Sequence, residues 1–208
     1  MMVLTAFIST LLSLSTLMFL DRKDKEMKLI TGKKELLLLG AVFLIVEMIL
    51  FSYAGYGGEF VCHSLVFFYL ITASFIDYKT QQVYRMGSIL FIVVCILIFF
   101  ARKMGFAMRL EKVVSLVMFH VALFCLGKMN FMGWGDVFTF MGVSYWLGAF
   151  TRRVLTLESC LYCLFISCLL FVISNLKNMD WKCLKLKEYQ PFLPSLAAGA
   201  LITIGFVR

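Results

Sequence analysis

The sequence predicts an all-α fold: a polytopic integral membrane protein of about eight transmembrane helices, with seven as the alternative count. Three observations carry that reading. Hydrophobic residues make up 62% of the 208-residue chain and charged residues only 15%, and mean hydropathy is +0.94, more apolar than the surface of a soluble domain allows. The apolar residues gather into runs close to the roughly 20 residues that a helix needs to cross a bilayer. The net charge of +8 comes from basic residues in short segments between those runs, where they set topology and do not point to nucleic acid. With two prolines and so few charges, neither a disordered tail nor a Pro-rich linker is expected.

Taken in order, the first apolar stretch runs from Met1 to Leu20, with no Lys or Arg before it and a basic run from Arg22 to Lys34 after it. That is the reverse of a signal peptide, so the span is expected to be retained, with the N-terminus outside and the basic loop cytoplasmic. The same loop is expected to meet anionic lipid. Further spans read as Leu36 to Ala54, Phe60 to Ile76, Met86 to Ala101, about Leu110 to Gly127, about Gly135 to Phe150, Val154 to Ser174 and Phe192 to Val207. Several are short for a bilayer, so their ends draw in flanking polar residues or tilt little. Gly55, Tyr56, Gly57 and Gly58 mark a tight turn on the outer side.

Alternation then places segments 21–35, 77–85, 128–134 and 175–191 in the cytoplasm with thirteen of the basic residues, and leaves seven outside, chiefly Arg102, Lys103, Arg109, Lys112, Arg152 and Arg153. Orientation therefore rests on the first loop more than on the total. The seven cysteines lie mostly inside apolar runs, where the thiol acts as a small hydrophobe, and imply no disulfide framework. Cys160 and Cys163 form one CxxC in mid-helix with no second pair, so no metal site is expected. The Phe-rich and Met-rich stretches read as lipid-facing or packing residues, and no cofactor is implied. Trp134, Trp146 and Trp181 fit interfacial belts.

An ionisable side chain at mid-bilayer costs about 2.5–3.5 kcal/mol, so Glu47, His63, Asp77, His120, Asp136 and Glu158 each need a reason. Glu47 is read as a hydrogen-bond partner for a neighbouring helix in preference to a proton path. His63 and His120 are read as packed or interface residues, since neither has an acid or second His three or four residues further on. Asp77 and Asp136 stand apart because alternation puts both on the cytoplasmic side: Asp77 closes the third span, and Asp136 opens the sixth in Gly133-Trp134-Gly135-Asp136.

At these residues the sequence resembles the type IV prepilin peptidases, membrane-embedded aspartic proteases of the GxGD class. Three separated segments carry the resemblance: Asp77-Tyr78-Lys79-Thr80-Gln81-Gln82-Val83; Gly133-Trp134-Gly135-Asp136, followed by an apolar helix with Gly142; and Pro191-Phe192-Leu193-Pro194-Ser195-Leu196-Ala197-Ala198-Gly199. It spans roughly Phe60 to Val207, and departs at Tyr84, where the family has proline, and at Leu193, where it has glycine. The resemblance implies a division into residues 1–59, two spans and a short basic loop, and 60–208, the peptidase core. It implies Asp77 and Asp136 as the catalytic pair, with Gly133, Trp134, Gly135, Lys79, Pro191 and Pro194 in support. The implied partners are the lipid bilayer and a prepilin or pseudopilin, whose basic leader is cut after a glycine at the cytoplasmic membrane face; no nucleic acid is implied. Methyl transfer, which in many members goes with a two-CxxC zinc domain in the first cytoplasmic loop, is not expected, because Asp21 to Glu35 holds no cysteine and is too short for one.

Hydrolysis by two carboxyls needs one ionised group to take a proton from water and one protonated group to give one to the scissile carbonyl, and two adjacent acids titrate as a unit. Glycines at 133 and 135 are expected to let backbone approach Asp136 and to permit a turn with positive φ. A helix N-terminus favours the ionised form of Asp136 and a C-terminus disfavours that of Asp77. This assigns Asp136 as base and Asp77 as proton holder, provided that the helix does not continue through Tyr78 and Lys79. Three rivals remain: a small proton-coupled transporter using Glu47, Asp77 and Asp136, against which no inverted repeat of broken helices is visible; an inactive scaffold of a pilus or secretion assembly; and another GxGD protease, which matches less of the chain.

Overall fold

In hydrocarbon a backbone amide finds no water, so each apolar run must close its hydrogen bonds within itself as a helix. A computed structural model describes residues 4, 7, 8, 11, 12, 15–17, 33–55, 57–80, 85–102, 105–129, 131–151, 156–176, 179–180, 185–186 and 190–207. Among them, seven helices have defined bounds: α1 (Lys33–Ala54), α2 (Gly58–Thr80), α3 (Arg85–Ala101), α4 (Phe106–Lys128), α5 (Trp134–Phe150), α6 (Thr156–Ser174) and α7 (Leu193–Val207). The described residues within 4–17 are helical as well. A two-residue antiparallel ladder, β1 (Met179–Asp180) with β2 (Lys185–Leu186), is the small exception to an all-α membrane architecture. Four segments are long and apolar enough to cross a bilayer, Leu37–Ala54, Gly58–Thr80, Met108–Lys128 and Thr156–Ser174, with Met86–Ala101 and Leu193–Phe206 as shorter apolar helices. The readings on most of the first span and its basic loop, and on Tyr56, Gln81 to Tyr84, Lys103, Arg152, Arg153, Trp181 and Cys183, lie outside the described residues.

The chain groups into two compact units, 1–80 and 81–208. In the first, α1 and α2 form an antiparallel hairpin, because the contacts run in opposite order along the two helices: Glu35 with Lys79, Phe43 with Phe68, Glu47 with Ser64 and Phe51 with Phe60. The turn is made where the glycines stand. Gly55 takes φ 64°, its amide donates to Phe51 O at 2.9 Å, and the left-handed conformation that ends the helix excludes most side chains.

In the second unit α5 is the central helix, with eleven of its seventeen residues buried. Helix α3 lies beside it in parallel, since Ser88 meets Thr139, Phe91 meets Gly142 and Phe99 meets Gly148. Helix α4 is antiparallel to α5, from Gly127 against Trp134 and Val137, through His120 against Ser144, to Lys112 at Gly148 and Thr151. Helices α6 and α7 are antiparallel to each other, with Phe171 on Phe192 and Tyr162 on Phe206.

Missing side chains set how close the helices come. A Cβ on Gly142 would stand 2.5 Å from two ring atoms of Phe91, and one on Gly199 would stand 3.0 Å from the backbone nitrogen of Ser167. Without water to drive association, close backbone approach at small residues gives the packing attraction that holds such helices together.

Candidate active site

Asp77 lies in the last turn of α2, which runs on through Tyr78 and Lys79 to Thr80. This corrects the reading that ended the span at Ile76 and made Asp77 its closing residue. The polarity of Asp77 ends the apolar run but not the helix, whose backbone bonds continue and whose last turn is closed by Thr80 Oγ1 donating to Ile76 O at 2.9 Å. The helix-end argument that made Asp77 the proton holder fails with that correction. Asp77 is 0% exposed.

Asp136 is the third residue of α5, behind the N-cap Gly133, and is 4% exposed. A carboxylate in the first turn faces the positive end of the helix dipole. Gly133 has φ −64° and ψ 145°, and Gly135 is helical, so neither glycine supplies the positive φ expected of it. What Gly133 supplies is room: a Cβ there would stand 3.1 Å from Asp136 Oδ2, because the carboxylate turns back over the N-cap. Oδ1 of Asp77 and Oδ1 of Asp136 are both enclosed from solvent, and each carboxyl sits within a turn of a helix terminus on its own unit.

The supporting residues divide. Trp134 starts α5 and packs on α4, edge to face with Phe124 at 5.3 Å and over Gly127. Lys79 pairs with Glu35 of α1; both are partly exposed, so the pair contributes at most about 1 kcal/mol. Pro191 precedes α7 and Pro194 is its second residue, where a missing N–H costs no helical bond. Leu193, in place of the expected glycine, is fully buried. Helix α6 begins at Thr156 beside Gly148 of α5, so its far end, with Phe171 on Phe192, brings the Pro191–Gly199 segment to the end of the unit that carries Asp136.

Glu47 and His120 are held between helices. Ser64 Oγ donates to Glu47 Oε2 at 2.7 Å in the α1–α2 hairpin, the neighbouring-helix bond expected of Glu47. His120 Nε2 lies 2.7 Å from Ser144 Oγ, as a packed residue between α4 and α5. Glu158 is exposed in the first turn of α6, and Cys160 and Cys163 are buried in that helix.

Sequence reasoning missed two sets of residues. Lys112 Nζ donates to Gly148 O at 2.7 Å and Thr151 O at 2.6 Å, and Arg102 Nε donates to Ala149 O at 3.3 Å while stacking over Phe150 at 4.6 Å. Two cations read as loop charges therefore cap the C-terminal carbonyls of α5, where positive charge is favoured. The other set is the hydroxyl pair Ser88 and Thr139 below Asp136. No polarity signal marks either, since Ser and Thr are common in membrane helices.

A model of the Type IV leader peptidase family matches residues 64–176, a little over half of the chain. The match takes in both aspartates and the Gly133–Asp136 segment, and stops short of Pro191. No curated protein and no solved structure matches the chain. With that much of its length matched, the chain belongs to the type IV leader peptidase family.

Proposed function

We propose that this protein is an aspartic endopeptidase of the cytoplasmic membrane that removes the short leader of type IV prepilins or pseudopilins at the cytoplasmic face, with Asp77 and Asp136 as the reacting pair. The observation that carries this reading is two buried carboxyls inside the stretch matched by the family. Ionisable groups are rare in apolar helices and mark function by default.

In the proposed reaction the ionised carboxylate takes a proton from water as the water oxygen attacks the scissile carbonyl carbon. The protonated partner gives its hydrogen to the carbonyl oxygen. The tetrahedral intermediate then collapses: the C–N bond breaks, the leaving amine takes the proton held by the first acid, and one hydroxyl of the intermediate returns its proton to the second as the carbonyl re-forms, which restores one ionised and one protonated acid. The orientation proposed with it has the N-terminus outside and the 77–85 and 128–134 segments in the cytoplasm. Peptidase activity without methyl transfer is proposed from the absence of cysteine between Asp21 and Glu35.

The test is leader cleavage of a membrane-inserted reporter carrying a basic leader, a glycine at the leader's end and an apolar helix, read as a gel shift. Wild type is expected to cleave it, and Asp77→Asn and Asp136→Asn, at matched membrane levels, to lose more than about 99% of the rate. Cleavage retained by either variant overturns the two-carboxyl mechanism.

A further inference from the structure

The hydroxyls of Ser88 and Thr139 form a directed chain that ends on the peptide carrying Asp136. Thr139 Oγ1 donates its only hydrogen to Gly135 O at 2.9 Å. At its 3.3 Å contact with Ser88 Oγ it therefore acts as acceptor, and Ser88 is the donor. Both residues are fully buried, on α3 and α5, which pack in parallel, and Gly142 against Phe91 locks the next turn of the same interface.

The accepting carbonyl belongs to the Gly135–Asp136 peptide unit, so its orientation sets the direction in which the Asp136 Cα–Cβ bond leaves the helix. Gly135 has no Cβ to hold that unit by sterics, and a glycine in a first turn is the residue most free to rotate there. Thr139, three residues after Asp136, shares its helix face. Hydroxyl bonds to an i−4 carbonyl are ordinary, and Thr203 makes one to Gly199 O at 2.7 Å. Thr203 also meets Cys163 of the neighbouring helix, so the Thr139 bond differs in ending beside a carboxyl.

We infer that Thr139, seated by Ser88, is a positioning residue that holds the Asp136 carboxyl in its reactive placement. The inference rests on the reading of Asp136 as one of the catalytic pair. Misplacement of a reacting group by a fraction of an ångström is felt chiefly in turnover and not in substrate binding.

The test uses the full chain, purified in detergent, with Thr139→Val, Thr139→Ser, Ser88→Ala and, as the control, Thr203→Val, which deletes the same kind of bond away from Asp136. On the reporter described above, Thr139→Val is expected to lower kcat about tenfold or more with KM within about twofold, Thr139→Ser to restore it to within about threefold, Ser88→Ala to fall between, and Thr203→Val to leave kcat unchanged. A second measurement is the rate of carbodiimide labelling at Asp136, read by mass spectrometry, which is expected to change at least about threefold in Thr139→Val and not in Thr139→Ser or Thr203→Val. Labelling and kcat unchanged in Thr139→Val overturn the inference, as does a fall in Thr203→Val equal to that in Thr139→Val. If no reporter is cleaved, unchanged labelling alone overturns it. Full activity of Asp136→Asn refutes the catalytic reading, and this inference with it; loss in Asp136→Asn with normal Thr139→Val refutes the positioning role alone.

Discussion

Replacing Gly199 by alanine should separate α6 from α7. The added methyl carbon would overlap Ser167 Oγ and stand 3.0 and 3.1 Å from Ser167 N and Cα, against an ordinary contact that begins at 3.4 Å. Rotating the hydroxyl away relieves the first overlap but breaks the bond from Ser167 Oγ to Cys163 O, 2.7 Å long and buried, at about 0.5–1.5 kcal/mol. The backbone atoms cannot rotate away, so the helices must part by about 0.4 Å locally. Overpacking of that kind costs about 1–3 kcal/mol, and Gly199→Ala is therefore expected to destabilise the chain by about 1.5–4.5 kcal/mol in total. The assay is equilibrium unfolding in mixed micelles followed by circular dichroism, as a double-mutant cycle with Ser167→Ala. The second change removes the hydroxyl overlap and leaves the backbone one, so the double variant should recover part of the loss, with a coupling of about 0.5 kcal/mol or more. A Gly199→Ala protein within about 0.5 kcal/mol of wild type, or a cycle with no coupling, refutes the argument that this glycine sets the helix spacing.

Gly142→Ala should destabilise by about 1–3 kcal/mol through the ring of Phe91, which is buried and has nowhere to swing; Phe91→Leu in that background should recover stability in the same unfolding assay. Lys112→Met removes two charge-assisted bonds to Gly148 O and Thr151 O and should cost about 1.5–3 kcal/mol, whereas Lys112→Arg, which keeps the cation, should cost less by the same measurement. The Asp77→Asn and Asp136→Asn variants, by contrast, should abolish leader cleavage while unfolding within about 1 kcal/mol of wild type in the same assay, because the amide keeps the shape of the carboxyl that it replaces.

How far the sequence reached can be judged at particular residues. The apolar runs located every bounded helix to within a few residues, because in hydrocarbon a long apolar segment has no alternative to the helix. Asp77 and Asp136 stood out because ionisable groups are rare in such segments. The end of α2 was misplaced because the run of apolar side chains stops at Ile76, while the backbone ladder runs to Thr80. The glycines beside Asp136 were assigned an unusual backbone conformation, when Gly133 serves by the volume that it leaves empty.

What the sequence by itself determined is which segments are helices and which residues are chemically out of place there. The tertiary structure alone decided which helices pair, that α5 is buried among its neighbours, and that Lys112 and Arg102 close its far end. The physical reason is that a lipid-facing side chain and a packed one are both apolar, so a membrane helix carries little polarity contrast between its faces. The pairing is set by small residues and single hydroxyls, such as Gly142 against Phe91 and Ser88 against Thr139. Their meaning depends on a partner some fifty positions away in the chain.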